Sequence, residues 1–315
     1  MRASLEHEIV QRFACFGGTC AVIVRGRGPA GTAAEATERT SRRLREWHSQ
    51  FSRFDRSSEL CRLNEDPRET VPVTPMMALF VEAALHASRI TGGLIDPTLV
   101  DEIDAAGYAS HLEGTPLELR EALRLAPPRR PASPSARVRW RSVQVDRRAG
   151  TVTRPPGVRL DSGGVAKGFF GDVLASLLSG HGSFAVDAAG DVRCGGTEGA
   201  ERPLHVSSPF DDSILHTFAI VRGAAATSGV SRRSWLDSRG LPAHHLLDPA
   251  RGEPAFTGVV QATALAPHGL HAEALAKAAL LSGPERAAEW LPYGGLVVYD
   301  DGGRDVIEPA ERELR

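Results

Sequence analysis

Strand-like apolar runs and amphipathic helical stretches follow one another along this chain without strict strand–helix–strand alternation. A doubly wound parallel sheet needs that alternation, so the irregular order points to an α+β fold. Thr19–Val24 reads as a strand. After a Gly/Pro turn, a helix is predicted from about Thr32 to Phe51, with Leu44, Trp47 and Phe51 at i, i+3 and i+7 marking its buried face. Thr74 as N-cap and Pro75 in the first turn open a second helix, which stops at Gly92. A third helix is predicted over Pro116–Leu125, and the Pro- and Arg-rich stretch Ala126–Arg137 reads as an exposed loop with solvated charge. Strands are predicted at Val138–Val145, Thr151–Thr153, Ser183–Val186, Val192–Cys194, Leu204–Ser207 and Thr217–Val221. A helix opens near Lys167 and closes around Gly180. Another runs over Gly269–Leu281, ahead of a hairpin near Leu296–Tyr299. With no internal repeat and no low-complexity linker, residues 1–315 read as one domain.

Composition narrows the function. The net charge of -2 lacks the basic excess of a dedicated nucleic-acid binder. No run approaches the ~18 consecutive apolar residues of a membrane helix. The opening MRASLEHEIVQRF has neither an apolar signal core nor a small-residue cleavage site, so a cytoplasmic protein is expected. Cys15, Cys20, Cys61 and Cys194 show neither zinc-site spacing nor a disulfide framework, and Cys15 and Cys20 read as buried strand thiols. Of the 37 basic residues only Lys167 and Lys277 are lysines, and Asn64 is the single asparagine. Where arginine is so favoured, a retained lysine marks a place that suits a compact ammonium better than a planar guanidinium.

Three segments carry chemistry. In Leu160–Leu178 a glycine pair leads into a helix whose first turn holds Lys167 and Gly168. Free N–H groups, the positive dipole end and the ammonium together suit a phosphate, although a plain turn before a helix has the same look. The order of a Walker loop is absent. In Ala226–Pro254 the hydroxyl cluster Thr227, Ser228 and Gly229 is expected in a loop, followed by His244, His245 and Asp248. A histidine beside a carboxylate serves general acid–base work; a loop histidine bonded to backbone is the bland alternative. Ser228, His245 and Asp248 also make a formal hydrolase triad, though without a G-x-S-x-G elbow. In Gly269–Gly283, Glu273 and Lys277 stand at i, i+4 on a helix that is otherwise almost wholly Ala and Leu. Such a helix is buried on most sides, and an ion pair in it is costly unless something polar faces it.

Taken together, these segments resemble the ApbE family, the FAD:protein FMN transferases. Phe51–Asn64 (FSRFDRSSELCRLN) is similar to the family's S-x-[LIV]-x-x-[LF]-N segment, and Thr91–Val100 (TGGLIDPTLV) to its G-G-x-x-D-P-T loop. LDSGGVAKGFFGDVL resembles its D-x-G-G-x-A-K-G motif, and Val186–Gly196 (VDAAGDVRCGG) its G-G-D strand turn. ATSG and HHLLDPARGEP resemble its T-S-G and H-x-x-D-P-x-x-G motifs. The resemblance implies layered antiparallel sheets with flanking helices. It also implies FAD as substrate, with its pyrophosphate near Lys167, and transfer of FMN to a Ser or Thr of a flavin-accepting protein with release of AMP. Some relatives hydrolyse FAD instead. His245 is then the expected base and Asp248 its orienter. Asp96, Thr98, Gly164, Lys167, Gly168, Gly190, Asp191, Thr227, Ser228, Gly229 and Lys277 are expected around the ligand. Family members hold Mg²⁺ through an Asp and a Thr four residues apart on the last helix, with a backbone carbonyl of the A-K-G loop. Here the equivalent ligands are Glu273 and the Ala166 carbonyl, while Lys277, which has no acceptor, stands where the Thr would be. The resemblance thus leaves two other readings: a flavin- or nucleotide-binding module without the metal, and a serine hydrolase.

Overall fold

The computed structural model describes residues 7–111 and 117–310. A tight turn joins β1 (Ile9–Cys15) to β2 (Gly18–Arg25), and helix α1 (Ala33–Gln50) follows. The Thr32 side chain accepts from the Glu35 N–H while Glu35 reaches back to the Thr32 N–H, a reciprocal cap that fixes where α1 begins. Next come α2 (Glu59–Glu65), β3 (Thr70–Pro72), α3 (Pro75–Ile90), α4 (Val100–Ala105) and α5 (Leu119–Leu125). The short strands β4 (Gln144–Asp146) and β5 (Thr151–Thr153) form a small sheet with β3 in which β5 lies in the middle. Helix α6 (Ala166–Leu178) leads into β6 (Ser183–Ala188) and β7 (Asp191–Gly195). A ribbon of β8 (Arg202–Ser207) and β9 (Ile214–Ile220) precedes β10 (Gly223–Gly229). Two small hairpins follow, β11 (Ser234–Leu236) with β12 (Pro242–His244) and β13 (Leu247–Asp248) with β14 (Glu253–Pro254). The chain continues through β15 (Val259–Ala266), α7 (Gly269–Ser282), β16 (Gly295–Tyr299) and β17 (Arg304–Ile307).

Eight strands form one antiparallel sheet in the order β1-β2-β6-β7-β10-β15-β16-β17. Every residue of β15 is buried, as expected of a central strand covered on both faces. Helices α6 and α7 pack on the sheet and against each other. Their first turns meet backbone to backbone: a Cβ on Gly168 would lie 2.2 Å from the Gly269 carbonyl oxygen. Glycine is therefore required at Gly168 for contact and not for dihedral freedom. An aromatic cluster of Trp47, Phe51, Phe80, Phe169 and Phe170 ties α1, α3 and α6 together.

The α+β expectation holds, with layered antiparallel sheets and flanking helices. Three local expectations do not. Val138–Val145 is not one strand: Val138 is left-handed at φ 41°, Arg139–Ser142 form a 3-10 turn, and only Gln144–Asp146 pair. Burial of Trp140 in the core wins there over the alternating pattern. Thr227, Ser228 and Gly229 lie in β10, paired with Thr263, Ala262 and Gln261, and not in a loop. The third helix starts at Leu119, capped by the Glu118 carboxylate, and Pro116 falls outside the described residues. The stretch 126–137 is largely exposed, as expected, yet pinned by bonds from Arg130 N–H to Phe256 and from Ala132 N–H to Leu281.

Candidate active site

A cavity of about 650 Å³ opens between the first turn of α6, the segment 94–103, the β11–β12 hairpin and α7. That volume suits a cofactor-sized ligand. One wall is the loop 161–164, whose backbone is set by two polar anchors. Asn64 clamps Leu160, accepting from its N–H at 2.7 Å and donating to its carbonyl at 2.8 Å. Ser162 donates to the Phe51 carbonyl at 2.8 Å. The side chain of Asn64 in turn sits on a helix whose last carbonyls, those of Leu63 and Asn64, accept from the fully buried Arg154. The asparagine of the early motif thus positions the glycine loop and does not itself face the cavity.

Four charges gather where α6, β7 and α7 meet. Lys167 Nζ lies 2.8 Å from Asp191 Oδ2, and Lys277 Nζ donates to Glu273 Oε1 at 2.9 Å. Glu273 Oε2 accepts from the Gly168 N–H at 2.8 Å, so the carboxylate caps α6 from α7. Burial opposes the Lys167 ammonium, but Asp191 and Glu273 outweigh it and lift its pKa above the ordinary value. Burial likewise opposes the Glu273 carboxylate, but Lys277, Lys167 and the Gly168 N–H hold its pKa below the ordinary value. Both groups therefore stay charged at neutral pH. Lys167 and Lys277 line the cavity together with Gly164 and Ala166, whereas Glu273 and Asp191 lie behind them.

This arrangement tests the Mg²⁺ ligands suggested by the resemblance. Both oxygens of Glu273 are taken, one by an ammonium and one by an N–H. Lysine offers no lone pair while protonated. A divalent ion ~4 Å from that ammonium would be repelled by roughly 8 kcal/mol at an effective dielectric near 20. Among the described residues no cluster of three His, Cys, Asp or Glu side chains forms a metal site. Glu273, Ala166 and Lys277 as they stand do not fit the ion, and no step is assigned to it.

The two adjacent histidines separate cleanly. His244 is buried beside Phe256, edge to face at 4.8 Å between ring centroids, and its Nδ1 accepts from the Leu246 N–H. Burial lowers its pKa to about 4. The next side chain, His245, turns to the cavity, and its Nδ1 is buried without a protein partner among the described residues. Burial, then Arg233, His244 and the two lysines, hold its pKa well below the usual value. At neutral pH it is a neutral imidazole able to take a proton. His244 carries a stability consequence. The unfolded chain takes up a proton near pH 6.5 and the folded chain only near 4, so stability falls as pH drops through that window. The loss amounts to roughly 3 kcal/mol, and His244→Phe should flatten this part of a pH–stability curve measured by urea unfolding. An unchanged slope in that variant would place the acid sensitivity elsewhere.

Asp248 does not orient His245. Its Oδ1 accepts from the N–H groups of Ser133 and Ala250, so the carboxylate closes its own turn and anchors the strap 126–137. The serine-hydrolase constellation is not assembled either. Among the described residues no hydrogen bond joins Ser228, His245 and Asp248. Thr227 faces Asp191 and Thr263, its N–H donating to Asp191 Oδ1 at 3.3 Å and its hydroxyl 2.8 Å from that of Thr263. Thr227, Ser228 and Gly229 are thus strand residues behind the charge cluster, not cavity lining. Gly190, at φ 98°, turns the β6–β7 hairpin, and its N–H donates to Asp187 Oδ1; it holds Asp191 in place from outside the cavity. Gly168 is spent on the α6–α7 contact and on Glu273. Asp96 does line the cavity, and Thr98 lies behind it, bonding Asp96 Oδ1 through both its N–H and its hydroxyl. Burial pushes the Asp96 carboxyl up.

Sequence reasoning missed the arginines and aromatics of the mouth. Arg53, paired with Asp104 at 2.7 Å and Asp161 at 3.4 Å, lies over the rings of Phe54 and Tyr108. Tyr108 stacks on Trp235 at 5.5 Å. Arg233, which donates to the Phe16 carbonyl, brings a further cation to the wall. In a chain this rich in arginine, none of these stands out by type. The only available sign was the position of Arg233 just after the T-S-G motif.

The sequence profile of the ApbE family matches residues 16–298. The FAD:protein FMN transferase of Treponema pallidum is 27% identical over 250 residues, 70% of this chain and 64% of that protein. That of Escherichia coli is 24% identical over 253 residues, 78% of this chain and 70% of that protein. The chain thus spans slightly under two thirds of the T. pallidum protein that it matches. Among solved structures, the ApbE protein of Thermotoga maritima superposes with a TM-score of 0.79 at 25% identity, covering 98% of this chain and 100% of that one. The flavin transferase ApbE of Vibrio cholerae gives 0.71 at 20% identity, over 97% and 98% of the two chains.

Proposed function

Since the chain belongs to the ApbE family, we propose that it is an FAD:protein FMN transferase, moving FMN from FAD to a Ser or Thr of a flavin-accepting protein. One observation carries this reading: a neutral imidazole, His245, shares a cofactor-sized cavity with the fixed cations Lys167, Lys277 and Arg233. The cations neutralise the pyrophosphate of the substrate, as phosphoryl-type transfer requires. The Ser or Thr oxygen bonds to the FMN-side phosphorus, and the bond from that phosphorus to the bridging oxygen breaks. AMP leaves with the electron pair, and the hydroxyl proton passes to His245. The bound anion raises the basicity of His245, because it offsets the lysines and Arg233 that depress it. Asp96 and the Arg53–Tyr108–Trp235 mouth supply a carboxylate and stacking faces for the polar and ring portions of FAD.

We treat residues 1–315 as one flavin-transferase domain, because a single sheet draws strands from β1 through β17. A cytoplasmic setting suits four buried free cysteines. Among the described residues no helix is long and apolar enough to cross a membrane. The test is incubation of the purified protein with FAD, followed by chromatography of the nucleotides and a fluorophosphonate probe in parallel. Release of AMP supports the transferase or its FAD-hydrolysing relatives, and FMN recovered in phosphoester linkage to a Ser or Thr rather than free separates the first from the second. FAD bound but intact supports a binding module, and labelling of Ser228 without FAD binding supports a hydrolase.

A further inference from the structure

The ion pair on α7 has an orientation that matters. Glu273 is fully buried and absent from the cavity wall, whereas Lys277, four residues on, reaches that wall. The ammonium therefore stands between the carboxylate and the cavity. Anything that approaches Glu273 from the ligand side meets Lys277 first. Of the three N–H groups on that ammonium, one is used within the described residues, by Glu273 Oε1. The side chain borders the same cavity as Lys167. In a chain with only two lysines, both border this one space.

We propose that Lys277 is the resident cation of this site, so that its ammonium, rather than a divalent metal ion, meets the pyrophosphate of the dinucleotide beside Lys167. The inference rests on the transferase reading above. It adds that binding and turnover are independent of metal. Glu273 has a different task from metal ligation: it holds the ammonium from behind and, through the Gly168 N–H, fixes it relative to α6. An ammonium carries one charge where Mg²⁺ carries two. Arg233, on the same wall, supplies the rest.

The test titrates wild-type protein with FAD in EDTA and again in excess Mg²⁺, following flavin fluorescence, with AMP release measured in both buffers after addition of an extract of its own cell as the source of the acceptor hydroxyl. The expected dissociation constants agree within about twofold, and AMP forms in EDTA. Lys277→Thr should bind FAD about tenfold or more weakly in EDTA and regain affinity when Mg²⁺ is added. Mn²⁺ added to that variant with FAD should become protein-bound by electron paramagnetic resonance. Wild-type binding that collapses in EDTA and returns with Mg²⁺ overturns the inference while leaving the transferase reading intact. No FAD binding in either buffer overturns both. The wild-type arms do not depend on the variant folding.

Discussion

His245→Ala lowers the rate of FMN transfer by ~10²-fold or more while FAD affinity stays close to that of the wild type. On the proposed mechanism the neutral imidazole at the cavity wall takes the hydroxyl proton, a task for which an ammonium or a guanidinium has no lone pair. Transfer therefore falls through kcat, and binding, set mainly by the lysines and Arg233, is spared. The pH dependence follows with its sign. The active form is the unprotonated imidazole, and its pKa in the free protein lies well below 6.5. The acid limb of kcat/KM should accordingly lie well below pH 6.5, with a plateau through neutrality. In the alanine variant that limb disappears with the activity. A variant that transfers FMN at the wild-type rate would remove His245 from the chemistry. His244→Ala is the matched control, since that ring is packed against Phe256 and does not reach the cavity.

Gly168→Ala destabilises the protein by roughly 3 kcal/mol or more and abolishes high-affinity FAD binding. The added Cβ would stand 2.2 Å from the Gly269 carbonyl oxygen and 2.4 Å from its carbon, both backbone atoms. The contact is relieved only by parting the first turns of α6 and α7. That movement breaks the bond between the Gly168 N–H and Glu273, and it draws Lys277 away from Lys167. Stability and binding should therefore fall together in one substitution, read by urea unfolding and by flavin titration. A variant with wild-type stability would show that the two helices tolerate separation. One that is less stable yet binds FAD normally would uncouple the lysines from the helix contact.

The sequence made the elements with local chemical punctuation readable. The Gly/Pro turn before Thr32, and Thr74 with Pro75, mark two helix starts that the structure reproduces. Helix α7, almost wholly Ala and Leu apart from its ion pair, was legible as a buried helix, and the pairing of Glu273 with Lys277 followed from its i, i+4 spacing. Helices α2 and α4 were not legible, since each is too short for a helical period to emerge above noise. At Val138–Val145 the pattern favoured a strand, and tertiary burial of Trp140 overrode it. Of the residues expected around the ligand, Asp96, Gly164, Lys167, His245 and Lys277 line the cavity; the lysines stand out by rarity, Gly164 by its glycine pair, and Asp96 and His245 only through their motifs. The roles of Gly168, Asp248 and Thr227 were misplaced, because each belongs to a motif but serves the frame behind the cavity. Arg53 and Arg233 were hidden by composition. Their place at the site depends on contacts between parts of the chain far apart in sequence, Arg53 with Asp104 and Arg233 with Phe16.

The central claim is that the cavity directs an acceptor hydroxyl to the FMN-side phosphorus of FAD. The most direct measurement follows the fate of both halves of FAD when this protein is incubated with an extract of its own cell, using mass spectrometry of flavin-fluorescent proteins alongside nucleotide analysis. The account predicts one AMP for each FMN found in phosphoester linkage to a Ser or Thr, with both products lost in His245→Ala. Cleavage on the other side of the pyrophosphate, leaving AMP attached to protein, would contradict it, as would FAD that stays whole with every flavin-bearing protein unmodified.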